Sequence, residues 1–307
     1  MKQLLRLALA ADIVALMTVV LGSWTRINGA GLTCPDWPLC RGRLVPSMTD
    51  GTLWEWTHRL LAFAVAPLVV ALIAAAWRKR RLPFIGPTLA VIVALFFVQV
   101  FLGAETVRLA NTPISVVLHW ATAMALIAAL SAMAVFAAAA DAARTEPPAR
   151  GFSAAVAVVG ATALVAFATM CVGAYVSSSG AGLACLSIPD CAGNVVVYTS
   201  GQFVQMLHRI AAAATLICAA GALALVWAQS SPARLRAAVS LGVALVSLQV
   251  LLGLLNVALR LPTDLREAHA VNAALVFLTF FVATIFAALD AAPGVASRRL
   301  RESSPQR

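Results

Sequence analysis

The sequence predicts an all-α polytopic membrane protein: eight transmembrane helices arranged as two pseudo-symmetric four-helix bundles. Three observations predict it. The 307-residue chain is 62 % hydrophobic and only 11 % charged, with a mean hydropathy of +0.93, whereas soluble domains carry roughly 25 % charged residues. The apolar residues lie in long unbroken blocks, not in the alternating pattern of barrel strands. Residues of the first half recur about 150 positions later. This composition excludes a water-soluble fold and disorder alike. The net charge of +10 does not signal a nucleic-acid partner, because the basic residues fall between apolar blocks, where membrane loops carry them.

The first block, 4–24, follows Lys2 and Arg6 as a signal peptide's would, but Gly22-Ser23-Trp24-Thr25-Arg26 is a poor cleavage site. It is therefore read as a helix. The next two, 53–77 and 84–105, flank the basic turn Arg78-Lys79-Arg80-Arg81. Blocks 114–140 and 152–175 flank a Pro-containing joint, and 202–228, 234–257 and 265–289 complete the set. Each is long enough to cross a hydrocarbon core, which takes about 20 residues. Of the 22 Lys and Arg, 14 fall on the side that holds both termini. That excess places the termini in the cytoplasm of a cell-membrane protein and turns the long loops 25–52 and 176–201 outward.

The repeat is specific. Gly29-Ala30-Gly31-Leu32-Thr33-Cys34 recurs as Gly180-Ala181-Gly182-Leu183-Ala184-Cys185, and Cys40 as Cys191, with a shift of 151. His58-Arg59 recurs as His208-Arg209, Gln99 as Gln249, Gly103 as Gly253 and His119 as His269, with a shift of 150. The chain thus divides into an N-terminal unit, 1–145, and a C-terminal unit, 146–307. With four helices each, the units share one orientation, and the implied axis runs along the membrane normal.

All four histidines of the chain belong to this repeat. Each lies roughly 7 Å inside its helix at 1.5 Å per residue, so the two of each half share a depth. Two buried, hydrogen-bonded imidazoles per bundle are one reading; a metal between facing imidazoles is the other, since bundle cores are common metal sites. No recurring carboxylate or Cys completes a tetrahedral zinc site. Two axial imidazoles suit a haem, whose porphyrin supplies the remaining ligands. No Cys-x-x-Cys-His occurs, which excludes c-type attachment.

The halves differ at one place. Glu55 stands three residues before His58, on the same helix face, and its counterpart is the neutral Gln205. Glu55 reads either as a solvated charge in a helix's first turn or as a carboxylate beside one porphyrin. In the second case one haem reacts and the other moves electrons. Cys34 with Cys40 and Cys185 with Cys191 read as disulfides within the outer loops, or as redox-active thiols. Cys171 and Cys218 read as packing residues. Gln99 and Gln249 share the depth of the histidines and either meet a porphyrin or link helices. Arg26, Arg59 and Arg209 either pair with propionates or snorkel. Trp24, Trp54, Trp56 and Trp120 form an interfacial belt at the outer boundary.

The run Arg26-x-x-Gly29-Ala30-Gly31-Leu32-x-Cys34-Pro35-Asp36-Trp37-Pro38-x-Cys40-x-Gly42, followed by Glu55-x-x-His58-Arg59, resembles the haem A synthase family of bacteria and mitochondria. The resemblance covers nearly the whole chain. It implies oxidation of a methyl group of haem O, through a hydroxymethyl stage, to the formyl of haem A, the haem of terminal oxidases. It implies that His58 and His119 ligate the substrate haem, that His208 and His269 ligate a permanent haem b, and that Glu55 is the essential carboxylate. It further implies disulfides at both loop cysteine pairs, and haem O and membrane lipid as partners. An electron acceptor and the enzyme that makes haem O join them as expected contacts. Two other functions compete. A di-haem, quinol-oxidising electron carrier explains the four histidines but not the Glu55/Gln205 difference. A parallel-repeat transporter needs a substrate cavity at mid-membrane depth, whereas the polar residues here lie near one face.

Overall fold

The computed structural model describes residues 1–142, 153–191, 193 and 197–291. The junction at 145/146 lies outside them, as do Arg144, Arg150, Arg298, Arg299, Arg301 and Arg307 of the basic set. The described residues form α1 (Lys2–Ile27), α2 (Thr52–Trp77), α3 (Ile85–Arg108), α4 (Pro113–Ala142), α5 (Ala154–Ser178), α6 (Ser200–Ala228), α7 (Ala233–Ala258) and α8 (Thr263–Asp290), with a short 3-10 turn at Ala181–Leu183. All eight helices are long and apolar enough to cross a membrane. The protein is an all-helical, multi-pass membrane protein, as predicted.

The helices run past their predicted ends mainly where the long loops begin. α1 continues to Ile27, α3 to Arg108 and α5 to Ser178. Hydrophobicity stops at the first polar residues, but the backbone ladder does not, because those residues find partners. Thr25 Oγ1 donates to the Leu21 carbonyl, and Arg26 Nη2 donates to Ser177 Oγ at 3.1 Å, joining α1 to α5. At the opposite end the Arg80 guanidinium lies 4.2 Å from the Trp77 ring and that of Arg236 4.7 Å from Trp227. Such cation–aromatic pairs suit a membrane–water boundary.

Helices α1–α4 close around Leu4, Leu72, Ile92, Met124, Ile127 and Leu130, all buried. Helices α5–α8 close around Val159, Leu235, Val239 and Phe280. The two groups meet along α1, α4, α5 and α8, where Met170, Ala274 and Phe277 extend the first core. α4 is the inner helix, with 67 % of its span buried against 17 % for α3. One difference separates the groups: α6 packs along α7, whereas the equivalent helices α2 and α3 barely touch.

Candidate functional site

Each histidine is seated on a glycine of a neighbouring helix. A Cβ on Gly22 of α1 would stand 2.6 Å from His58 Cε1, and one on Gly173 of α5 would stand 2.8 Å from His208 Cε1. On α3 and α7, Cβ atoms on Gly103 and Gly253 would lie 3.2 and 3.3 Å from the Cε1 atoms of His119 and His269. The missing side chains are what allow the imidazoles to turn inward between helices.

Hydrogen bonding then sets the ring nitrogens. His58 Nδ1 lies 2.9 Å from the Thr18 carbonyl and His208 Nδ1 3.2 Å from the Thr169 carbonyl. A carbonyl only accepts, so Nδ1 carries the proton and Nε2 presents its lone pair, the arrangement that metal-binding histidines use. The Nδ1 atoms of His119 and His269 are buried without a protein partner. The His208 and His269 rings lie 6.3 Å apart, centroid to centroid, at 74°. Two metal–imidazole bonds of about 2.0–2.1 Å, with the half-widths of two rings, fill that distance. Among the described residues no cluster of three or more His, Cys, Asp or Glu could hold a bare metal ion. The residues present therefore fit a group that brings its own equatorial ligands, as haem does.

Beside each pair stands a disulfide loop. Cys34–Cys40 and Cys185–Cys191 are both bonded, each with a Cα separation of 4.6 Å. Arg59 and Arg209 both reach into the disulfide loops. Arg59 donates to the carbonyls of Cys34, Asp36 and Leu39, and Arg209 to those of Cys185, Ser187 and Asp190. Arg59 is buried and Arg209 half-buried, and each guanidinium clamps its loop through these carbonyls. Asp36 closes the first loop by accepting from the Gly42 and Arg41 amides, and Ser187 closes the second by accepting from Gly193. The Gly42 bond, first among several, holds the Asp36 carboxyl below the ordinary aspartate range.

Glu55 is not a solvated first-turn charge, being only 4 % exposed. Its Oε1 accepts from Arg59 Nη2 at 2.6 Å, and its Oε2 accepts from Thr33 Oγ1 and the Cys34 amide, both at 2.9 Å. Gln205, equally buried, accepts from the Cys185 amide at 2.6 Å and donates to the Gly182 carbonyl at 2.8 Å. A carboxylate cannot make that donation. In the first half the equivalent Gly31 carbonyl is served instead by Asn111 Nδ2, from the α3–α4 turn. Thr33 and Asn111, whose counterparts are Ala184 and Leu261, thus belong to the set that makes room for a charge.

The glutamines also part company. Gln249 donates to the His269 carbonyl and accepts from Asn272 Nδ2, linking α7 to α8. Gln99 Nε2 lies 3.4 Å from His119 Nε2, and its Oε1 is buried without a partner. Cys171 and Cys218 are free thiols within helices. Sequence reasoning missed Thr18, Thr169, Gly22 and Gly173, although all recur with the 151 shift. It also missed Thr33 and Asn111, which are visible only as departures from the repeat.

These features define a class: a multi-pass membrane protein with two histidine pairs, each accompanied by a clamped disulfide loop. The chain matches the family model COX15-CtaA, cytochrome oxidase assembly protein, over residues 5–281, and belongs to that family. It is 29 % identical to the heme A synthase of Shewanella oneidensis over 92 % of this chain and 95 % of that one. It is 32 % identical to the heme A synthase of Bacillus pumilus over 69 % and 71 % of the two chains. A shorter match, 38 % identical over 38 % of this chain and 37 % of the other, is to the heme A synthase of Caulobacter vibrioides.

Proposed function

We propose that this protein is a haem A synthase, an oxidoreductase that converts the methyl group of haem O to the formyl of haem A through a hydroxymethyl stage. The relatives' shared name supports the reaction, and one observation carries its assignment to this chain. The two histidine sites differ by a buried carboxylate, Glu55 against Gln205, and the Thr33 and Asn111 bonds that accompany it occur only in the first half.

In this reading His58 and His119 hold the substrate haem in the unit 1–145, and His208 and His269 hold a haem b in the unit 146–307. Bound there, haem b supplies one-electron transfer. The protein's own groups do the rest. The Thr18 and Thr169 carbonyls orient His58 and His208. Gly22, Gly103, Gly173 and Gly253 give the rings their space. Glu55, fixed by Arg59, Thr33 and the Cys34 amide, takes up a proton or stabilises positive charge as the methyl carbon is oxidised. The protein lies in the cell membrane with both termini cytoplasmic. Haem O and lipid are its partners, together with an electron acceptor and the enzyme that makes haem O.

Pigment analysis of the purified protein tests this. Haem O or haem A beside one haem b per chain is the expected result. Haem b alone, at two per chain, would make the protein a di-haem electron carrier.

A further inference from the structure

Gln99 offers something its repeat partner does not. In the second half the amide of Gln249 is spent, donating to the His269 carbonyl and accepting from Asn272. The residue equivalent to Asn272 is Thr122, and no bond from Thr122 reaches Gln99. The amide nitrogen of Gln99 instead stands 3.4 Å from His119 Nε2, and its oxygen is buried with no partner at all. On the proposed reading, His119 Nε2 is the iron-facing nitrogen. Were that lone pair committed to iron, the amide of Gln99 would have neither its donor nor its acceptor satisfied, beside the bound molecule. A stranded amide in an apolar interior costs free energy, and a polar substituent on the bound molecule relieves it.

We infer that Gln99 is a positioning and specificity residue that recognises the oxygen installed by the first oxidation. It holds the hydroxymethyl form of the substrate until the second oxidation is complete. This rests on the haem A synthase reading. The chemistry favours that stage: a hydroxyl both donates and accepts, as does a primary amide, whereas the methyl of haem O does neither. Sites built to hydrogen-bond a hydroxyl discriminate strongly against analogues that lack it. The permanent site needs no such discrimination, and there the same glutamine is built into the helix contact.

The test is a binding titration of haem O and of hydroxymethyl-haem O on the full-length protein in detergent, followed by absorbance, for wild type, Gln99→Leu and Gln249→Leu. Product ratios from cells expressing each form accompany it. Gln99→Leu is expected to bind haem O within about twofold of wild type and hydroxymethyl-haem O about tenfold more weakly, the size of one hydrogen bond. Released hydroxymethyl-haem should rise against haem A, and Gln99→Asn should restore part of the ratio. Gln249→Leu should leave the ratio unchanged. Equal weakening for both haems would assign Gln99 to supporting His119 and overturn the inference, as would an unchanged product ratio. A wild-type protein that binds neither haem would instead overturn the functional reading beneath it.

Discussion

The two disulfide loops are built to one plan, and the plan is broken at one point. Both are closed by a Cys–Cys bond, both are gripped by an arginine through three carbonyls, and in both the first Cys amide donates to the residue three before a histidine. In the second loop that residue is Gln205, whose amide completes the loop by itself. In the first it is Glu55, and Thr33, Asn111 and a buried ion pair with Arg59 are required to keep it there. A buried carboxylate with partners is no stability gain over a neutral group of the same shape. The second loop shows that glutamine suffices for architecture. On the proposed reading the charge serves chemistry, and the comparison can be broken experimentally from several directions.

The largest effect is expected from the histidines. His58→Ala should lose the substrate haem and keep one haem b per chain, whereas His208→Ala should lose haem b; extraction and chromatography of the pigments reads both. Identical losses from the two variants would erase the proposed division between the halves. Next is Glu55→Gln, which copies the second loop into the first. Haem A output should fall by at least about 10²-fold, the scale of lost acid–base assistance, with haem binding and thermal unfolding close to wild type. Normal output from Glu55→Gln would reduce Glu55 to a loop anchor.

The clamps differ in kind as well. Removing Arg59 leaves a buried carboxylate without its cation, so Arg59→Leu should cost about 3–5 kcal/mol. Arg209 leaves no buried carboxylate behind and is itself only half-buried, so Arg209→Leu should cost less, about 1 kcal/mol. Thermal unfolding in detergent ranks the two. Among the glycines, Gly22→Ala drives a methyl to 2.6 Å from His58, while Gly103→Ala brings one only to 3.2 Å from His119. The first should displace its imidazole and weaken haem O binding several-fold, on the scale of about 1 kcal/mol, and the second less.

The smallest effect is in pH. The carboxyl of Asp36 is held below its ordinary range, so its contribution is complete above that range and is lost as pH falls through the depressed value. Protection of the Gly42 amide against hydrogen exchange, taken relative to the intrinsic rate at each pH, should therefore fall on acidification. Gly193, held by the hydroxyl of Ser187, should show no matching change.

Much of this was legible in the sequence because the governing signals were rare residues in matched positions. Eight apolar blocks gave eight helices, and four histidines and two Cys-x5-Cys pairs marked the same place twice. What stayed hidden was made by backbone and by small groups. The carbonyls of Thr18 and Thr169 that fix the imidazoles carry no residue signature. Gly22 and Gly173 are recognisable only once a ring is seen against them. The loop contacts of Arg59 and Arg209 were not foreseen, because a charge near a membrane surface suggests a ligand or solvent, while these partners are carbonyls of a loop whose folding the pattern does not specify. Glu55 stood out as the break in the repeat, but its partner Thr33 lies 22 residues before it, and Asn111, which serves the Gly31 carbonyl, lies beyond α3.

The uneven contact between helices bears on exchange kinetics. A flat, greasy tetrapyrrole travelling in the bilayer has to slip sideways into a bundle and, if it is to be released altered, slip out again. Parting α2 from α3 gives up little packing, while parting α6 from α7 breaks a more extensive contact. If the two bundles hold haem as proposed, the guest of the first should exchange faster than its counterpart in the second.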